Sequence, residues 1–240
     1  MNRGIETTAI GMLASQRAMD LIANNLANAS TRGYKRDGLA FGETLSRQIG
    51  VPNGNDPIDK PLPGVGVAAS FTVFEQGALE TTGRPFDVAL ASNRGMFAIQ
   101  TEAGVRYTRD GAFTLNSDGV LSTVRGEPVL DDGGLPIQIP QGEIATSEDG
   151  SISADGVVVA RLGVFDGTFA KDGAGRFQSQ DAEPDPELRV QWRALESSNV
   201  NPIQSMIQLI EVGRAFELAQ RSIQQQDELT QKLIQSLHNS

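Results

Sequence analysis

Asn201-Pro202-Ile203-Gln204-Ser205-Met206-Ile207-Gln208-Leu209-Ile210-Glu211-Val212-Gly213-Arg214-Ala215-Phe216 reads as the start of a long helix. The Asn201 side chain can cap the free amides of a first turn, and Pro202 has the fixed φ and missing N–H that suit the first helical position. Beyond them Leu209, Phe216, Ile223, Thr230 and Leu237 recur every seven residues, with Val212, Ala219, Gln226 and Leu233 as a companion column. No proline follows Pro202 and the only later glycine is Gly213. The spacing therefore predicts a helix of about 35 residues, roughly 50 Å long.

The opposite end of the chain carries the same pattern. Ile5, Met12, Met19 and Leu26 form one column, and Thr8, Ser15, Ile22 and Ala29 a second. A 3-4 apolar repeat gives a helix with a narrow seam that fits another helix. From Gly4 to Ala29 such a helix would be roughly 39 Å long, and Gly33 can supply a left-handed turn to stop it. Both seams mix small and polar residues with Leu, Met and Ile, so an isolated pair would be marginal. The two are expected to form a coiled-coil-like stem, with Ile5, Met12, Met19, Ile22 and Leu26 meeting Leu209, Val212, Phe216, Ile223 and Leu233. Asn24, Asn25 and Asn28 lie among Ala23, Ala27 and Ala29. Amides that both donate and accept, beside alanines that allow close approach, read as a polar assembly face.

Between the ends the pattern changes. Residues 37–70 are rich in Gly and Pro and read as an extended connector. From Phe71 to Leu195 short apolar runs such as Met96-Phe97-Ala98-Ile99 and Leu162-Gly163-Val164-Phe165 alternate with turn signals. Asp-Gly begins at Asp110, Asp118, Asp132, Asp149, Asp155, Asp166 and Asp172, a pair that favours tight hairpins because glycine accepts positive φ. The fold class is α+β: an irregular antiparallel all-β domain (71–195) inserted between an N-terminal stem segment (1–36), with its connector (37–70), and a C-terminal stem helix (196–240).

Composition excludes several chemistries. The 240 residues contain no cysteine, and the one histidine is His238, three positions from the end. Thiolate metal sites, disulfides and histidine-based triads are thereby removed or left without a rigid setting. A net charge of -10 disfavours nucleic acid and anionic lipid as partners. Gly64-Val65-Gly66-Val67-Ala68-Ala69 fits a dinucleotide loop by letter but lacks the strand before it and the helix after it. Asn116-Ser117-Asp118-Gly119 starts like a calcium loop, without the later glutamate. Glu75 and Glu80 flank a turn, and nothing places them across a substrate. No catalytic, cofactor or metal site and no small-molecule substrate is expected, and the chain reads as a structural protein, not an enzyme.

Four ordered stretches resemble a known family. Ile22-Ala23-Asn24-Asn25-Leu26-Ala27-Asn28-Ala29-Ser30-Thr31-Arg32-Gly33-Tyr34-Lys35-Arg36 is similar to the N-terminal signature of flagellar rod and hook proteins. Gln76 to Leu90, Tyr107 to Phe113, and Leu195-Glu196-Ser197-Ser198-Asn199-Val200-Asn201-Pro202 continue the likeness. Ala91-Ser92-Asn93-Arg94-Gly95-Met96-Phe97 departs from the family's glycine-rich run. Within the family, short length disfavours the hook type. Phe216 and the run from Gly133 to Pro140 are similar to the proximal rod member, with the distal rod and hook-type members as alternatives and a phage-tail-like fibre as a more distant one.

The resemblance implies a subunit that polymerises helically with itself and other rod subunits into the drive shaft. It also implies export through the flagellar type III apparatus and a place in the periplasmic span of the basal body. The first thirty residues carry Arg3, Glu6, Arg17 and Asp20 and no long apolar run, so no cleaved signal peptide and no membrane insertion are expected.

Overall fold

The structure, a computed structural model, describes residues 3–43 and 65–238; within these, side chains at 3–6, 41–43, 65–69, 230, 233, 234 and 236–238 lie outside the description. It contains an N-terminal helix α1 (Arg3–Ala27), a central β region and a C-terminal helix α2 (Pro202–His238). The chain divides into two compact units. One gathers α1, α2 and the strands Asp37–Glu43 and Val65–Thr72 (the latter up to Phe71), and the other contains residues 28–36 and 72–200.

In the helical unit α1 packs along α2. α2 starts as its sequence dictates: Asn201 Oδ1 accepts from the backbone N–H of Gln204 at 3.1 Å, which satisfies one of the free amides of the first turn. The strands Asp37–Glu43 and Val65–Thr72 pair in a two-stranded sheet, so the residues read as a connector begin and end in strand. The remainder of that segment, 44–64, lies outside the described residues. The glycine-rich run at 65–69 is thus strand, and no helix opens after it.

Every strand pair in the second unit is antiparallel. Its main sheet has six strands in the order Ala170–Gly173, Arg176–Gln178, Gly104–Thr108, Met96–Thr101, Val164–Asp166, Glu183–Pro184. The strand Met96–Thr101 is buried on both faces, which its unbroken apolar run anticipates. Side chains alternate across a strand, so Phe97 and Ile99 enter one core cluster, with Val88, Leu90, Phe113 and Leu121. Met96 and Ala98 enter another, with Tyr107, Phe165 and Phe177.

The Asp-Gly pairs divide into two kinds. Asp155 and Gly156 both take positive φ (49° and 81°) and join Ser151–Ala154 to Val157–Arg161, the two-residue hairpin that the pair predicts. Gly111 is different. A Cβ there would sit 1.7 Å from the carbonyl oxygen of Val88, so glycine is required for backbone approach rather than for a turn. Asn116 behaves as a turn residue, its Oδ1 accepting from the N–H groups of Asp118 and Val120 at 2.9 Å each.

Candidate functional site

The seam residues lie on two helices that pack together. Met12, Met19 and Leu26 of α1 and Leu209, Val212, Phe216 and Ile223 of α2 are half-buried, and Ile22 is buried. Ile5 and Leu233 fall in the helices, but their side chains are outside the described residues. The most buried positions also include Ala14, Ala18, Asn25 and Ser205. Ala14, Ala18 and Ile22 follow one another at four-residue steps, a small-residue row that a count of large apolar side chains overlooks.

The three asparagines are placed differently. Asn24 is exposed and Asn28 half-buried. Asn25 is buried and takes both backbone groups of one residue: its Oδ1 accepts from Asp37 N–H at 2.9 Å and its Nδ2 donates to Asp37 C=O at 2.8 Å. That pair of bonds ties the last turn of α1 to the first residue of the following strand, inside the helical unit.

A second constellation, in the β unit, was not singled out by sequence pattern. Glu196 stands at the end of the strand Ala194–Glu196 and is 1% exposed. Its Oε1 takes the Lys35 ammonium and the backbone N–H of Gly77 (2.9 Å), and its Oε2 takes Arg109 Nη1 at 3.0 Å. Lys35 Nζ also donates to Glu75 C=O at 2.7 Å, and Arg109 Nη1 to Ser92 C=O at 2.9 Å. All three ionic side chains are buried. Burial pulls the Lys35 ammonium and the Arg109 guanidinium below their ordinary values, and the Glu196 carboxylate opposes both shifts.

Neighbouring backbone is held as closely. Asn199 Oδ1 accepts from Arg36 N–H at 2.7 Å, while its Nδ2 donates to the carbonyls of Val73 (2.8 Å) and Glu75 (3.0 Å). Gly33 N–H donates to Glu196 C=O at 2.8 Å. Gly33 has a left-handed φ of 62°, as its sequence context suggests, but it lies beyond the end of α1 and stops no helix. It is needed because a Cβ would come within 2.5 Å of the Arg109 backbone. Lys171 reaches the same segment, donating to Lys35 C=O at 2.6 Å with its ammonium 4.4 Å from the Tyr34 ring centroid.

Each of the four stretches quoted for the family resemblance contributes to this knot: Lys35, Gly77, Arg109 and Glu196. Such an arrangement fixes chain segments. Its charges satisfy one another out of reach of solvent, so it offers no substrate an approach. By contrast Glu75 pairs with Arg36 and Glu80 accepts from Ser197, each at the surface. Among the described residues no group of three or more acidic or imidazole side chains could hold a metal ion, and no helix is long and apolar enough to cross a membrane.

Comparison with known proteins covers the same stretches. Residues 5–35 match a family model described as flagella basal body rod protein. Residues 91–160 match the flagellar hook protein FlgE/F/G D1 domain, and residues 193–236 the flagellar basal body rod FlgEFG protein C-terminal model. The flagellar basal-body rod protein FlgF of Caulobacter vibrioides is 36% identical over 231 residues, covering 92% of each chain. FlgF of Rhizobium meliloti is 34% identical over the whole of both chains. The flagellar basal-body rod protein FlgG of Buchnera aphidicola subsp. Acyrthosiphon pisum is 31% identical over 94% of this chain and 96% of its own. With relatives this similar along nearly its entire length, the chain belongs to the flagellar basal-body rod protein family.

Proposed function

We propose that the chain is a structural subunit of the bacterial flagellar rod, in the proximal position, polymerising helically with itself and other rod subunits to carry motor torque. The observation that carries this reading is end-to-end similarity to FlgF proteins of the basal-body rod. FlgG proteins align at 30–31% over a similar span and keep the distal rod as the second reading. The role is non-enzymatic, in keeping with an ionic cluster sealed from solvent. The subunit leaves the cell through the flagellar export apparatus without a cleaved signal and is placed in the periplasmic span.

The terminal helices work as a coiled-coil-like stem. Ile5, Met12, Met19, Ile22, Leu26, Leu209, Val212, Phe216, Ile223 and Leu233 serve as its contacts, and Asn24 and Asn28 as polar contacts toward neighbours. Asn25 belongs to the same polar set but acts by fixing the exit of α1. The seams are only half-buried in one copy, so docking on the growing rod completes their burial and orders both ends at the point of assembly. Deletion of the gene tests the reading: non-motile cells whose basal bodies stop within the rod are expected, and motile cells with complete rods would overturn it.

A further inference from the structure

α2 carries a second apolar stripe apart from the seam. Ile203, Ile207 and Ile210 recur at four and three residues, with Met206 beside them, so they share one side of the helix. They are 72%, 53%, 56% and 51% exposed respectively, whereas Leu209, Val212 and Phe216 are half-buried. The first turn contains no acidic residue, and the stripe is free of charge from Ile203 to Ile210. Isolated exposed apolar residues need no explanation, but four at helical spacing form a helix-binding pattern.

We infer that Ile203, Met206, Ile207 and Ile210 are the docking surface for the helical unit of a second copy of this chain, separate from the seam that holds α1 to α2. The inference rests on the reading of the protein as a polymerising rod subunit and assigns one of its contacts. Area argues for a polymer. Covering the stripe buries roughly 400 Å² on this side, about half of what each partner gives to a stable pairwise interface. A contact of that size does not hold two copies together in dilute solution, and it becomes effective when each copy makes several. The complement is present elsewhere on the same unit, where Leu13 of α1 and Leu218 and Leu229 of α2 are each more than half exposed. Stripe to different surface is a heterologous contact, which propagates instead of closing.

The absence of cysteine allows a direct test. Full-length Ile207→Cys, labelled with a benzophenone maleimide, is polymerised and irradiated. The expected product is a covalent pair of copies, with the adduct on α1 or α2 of the second copy. An adduct within its own chain, or on the second copy's β unit, overturns the assignment. In parallel, Ile203→Ser/Ile207→Ser is expected to lower the sedimentable polymer at least tenfold while melting of the β unit is unchanged. Normal polymerisation of that variant also overturns it and leaves the rod-subunit reading intact, because that reading fails only if deletion of the whole chain spares the rod.

Discussion

Lys35 and Glu196 lie 161 positions apart and form an ion pair with both side chains fully buried. One follows the N-terminal helix and the other precedes the C-terminal helix. The β unit therefore closes around two strands of chain that lead directly to the helices. Arg109 on the second carboxylate oxygen and Gly77 N–H on the first complete the arrangement.

Removing the shared anion is the most damaging single change at this cluster. Glu196→Gln leaves two buried cations without a counter-charge and is expected to destabilise the β unit by about 3–5 kcal/mol. The triple variant Lys35→Met/Arg109→Met/Glu196→Leu takes out all the charge together, so it is expected to cost less than the single change. Urea unfolding of the three proteins, followed by Trp192 fluorescence, gives the ranking. A triple variant less stable than Glu196→Gln would show that the ionic bonds contribute net stability.

Two glycines separate steric need from conformational need. Gly77→Ala would place Cβ 2.0 Å from the Ser197 carbonyl oxygen, a contact that only backbone movement relieves. Gly156 has a φ of 81° and nothing within 4 Å of a built Cβ. Gly156→Ala is therefore expected to cost about 1–2 kcal/mol of left-handed strain, and Gly77→Ala more, with altered packing around Glu196. Thermal melts compare the two, and equal losses would contradict the close approach.

Asp110 gives a pH signature. Burial raises its carboxyl above the ordinary 3.8, against the pull of the Ala112 N–H and of Arg32 and Arg125. Below 3.8 both folded and unfolded chains hold the proton. As pH rises from 3.8 through the raised folded value, the unfolded chain releases it first, so stability falls across that window and stays lower above it. Asp110→Asn keeps an acceptor for Ala112 N–H, which Asp110 Oδ1 meets at 3.1 Å. It is expected to be more stable than the parent at neutral pH, with the gain fading as pH falls toward 3.8. Denaturant titrations at several pH values measure this.

Phe216→Asp tests the seam. A carboxylate in place of a half-buried aromatic ring weakens α1–α2 packing by roughly 1–3 kcal/mol, and polymer formation is expected to stop while the β unit melts normally. A variant that still builds a normal rod would show that the seam is wrongly assigned.

Amide exchange on the free chain tests assembly-linked ordering. Fast exchange is expected through both terminal helices and slow exchange in the strand Met96–Thr101, whose neighbours on both faces are buried. Slow exchange at both ends in dilute solution would contradict ordering on docking.

What the sequence determined by itself was the local part. The Asn201-Pro202 start, the 3-4 spacing of both termini and the Asp155-Gly156 hairpin follow from capping, periodicity and positive φ, which act within a few residues. The double-sided burial of Met96–Ile99 was also legible, because an unbroken apolar run leaves no face for water. Tertiary structure decided which residues meet. Lys35, Arg109 and Glu196 carry side chains that belong at the surface by residue type, and only the convergence of segments 161 positions apart makes them an interior cluster. The same holds for Gly33 and Gly111, whose necessity comes from backbone that passes within van der Waals reach. Pattern records what each residue prefers alone; close approach between distant segments is fixed only when the whole sheet closes.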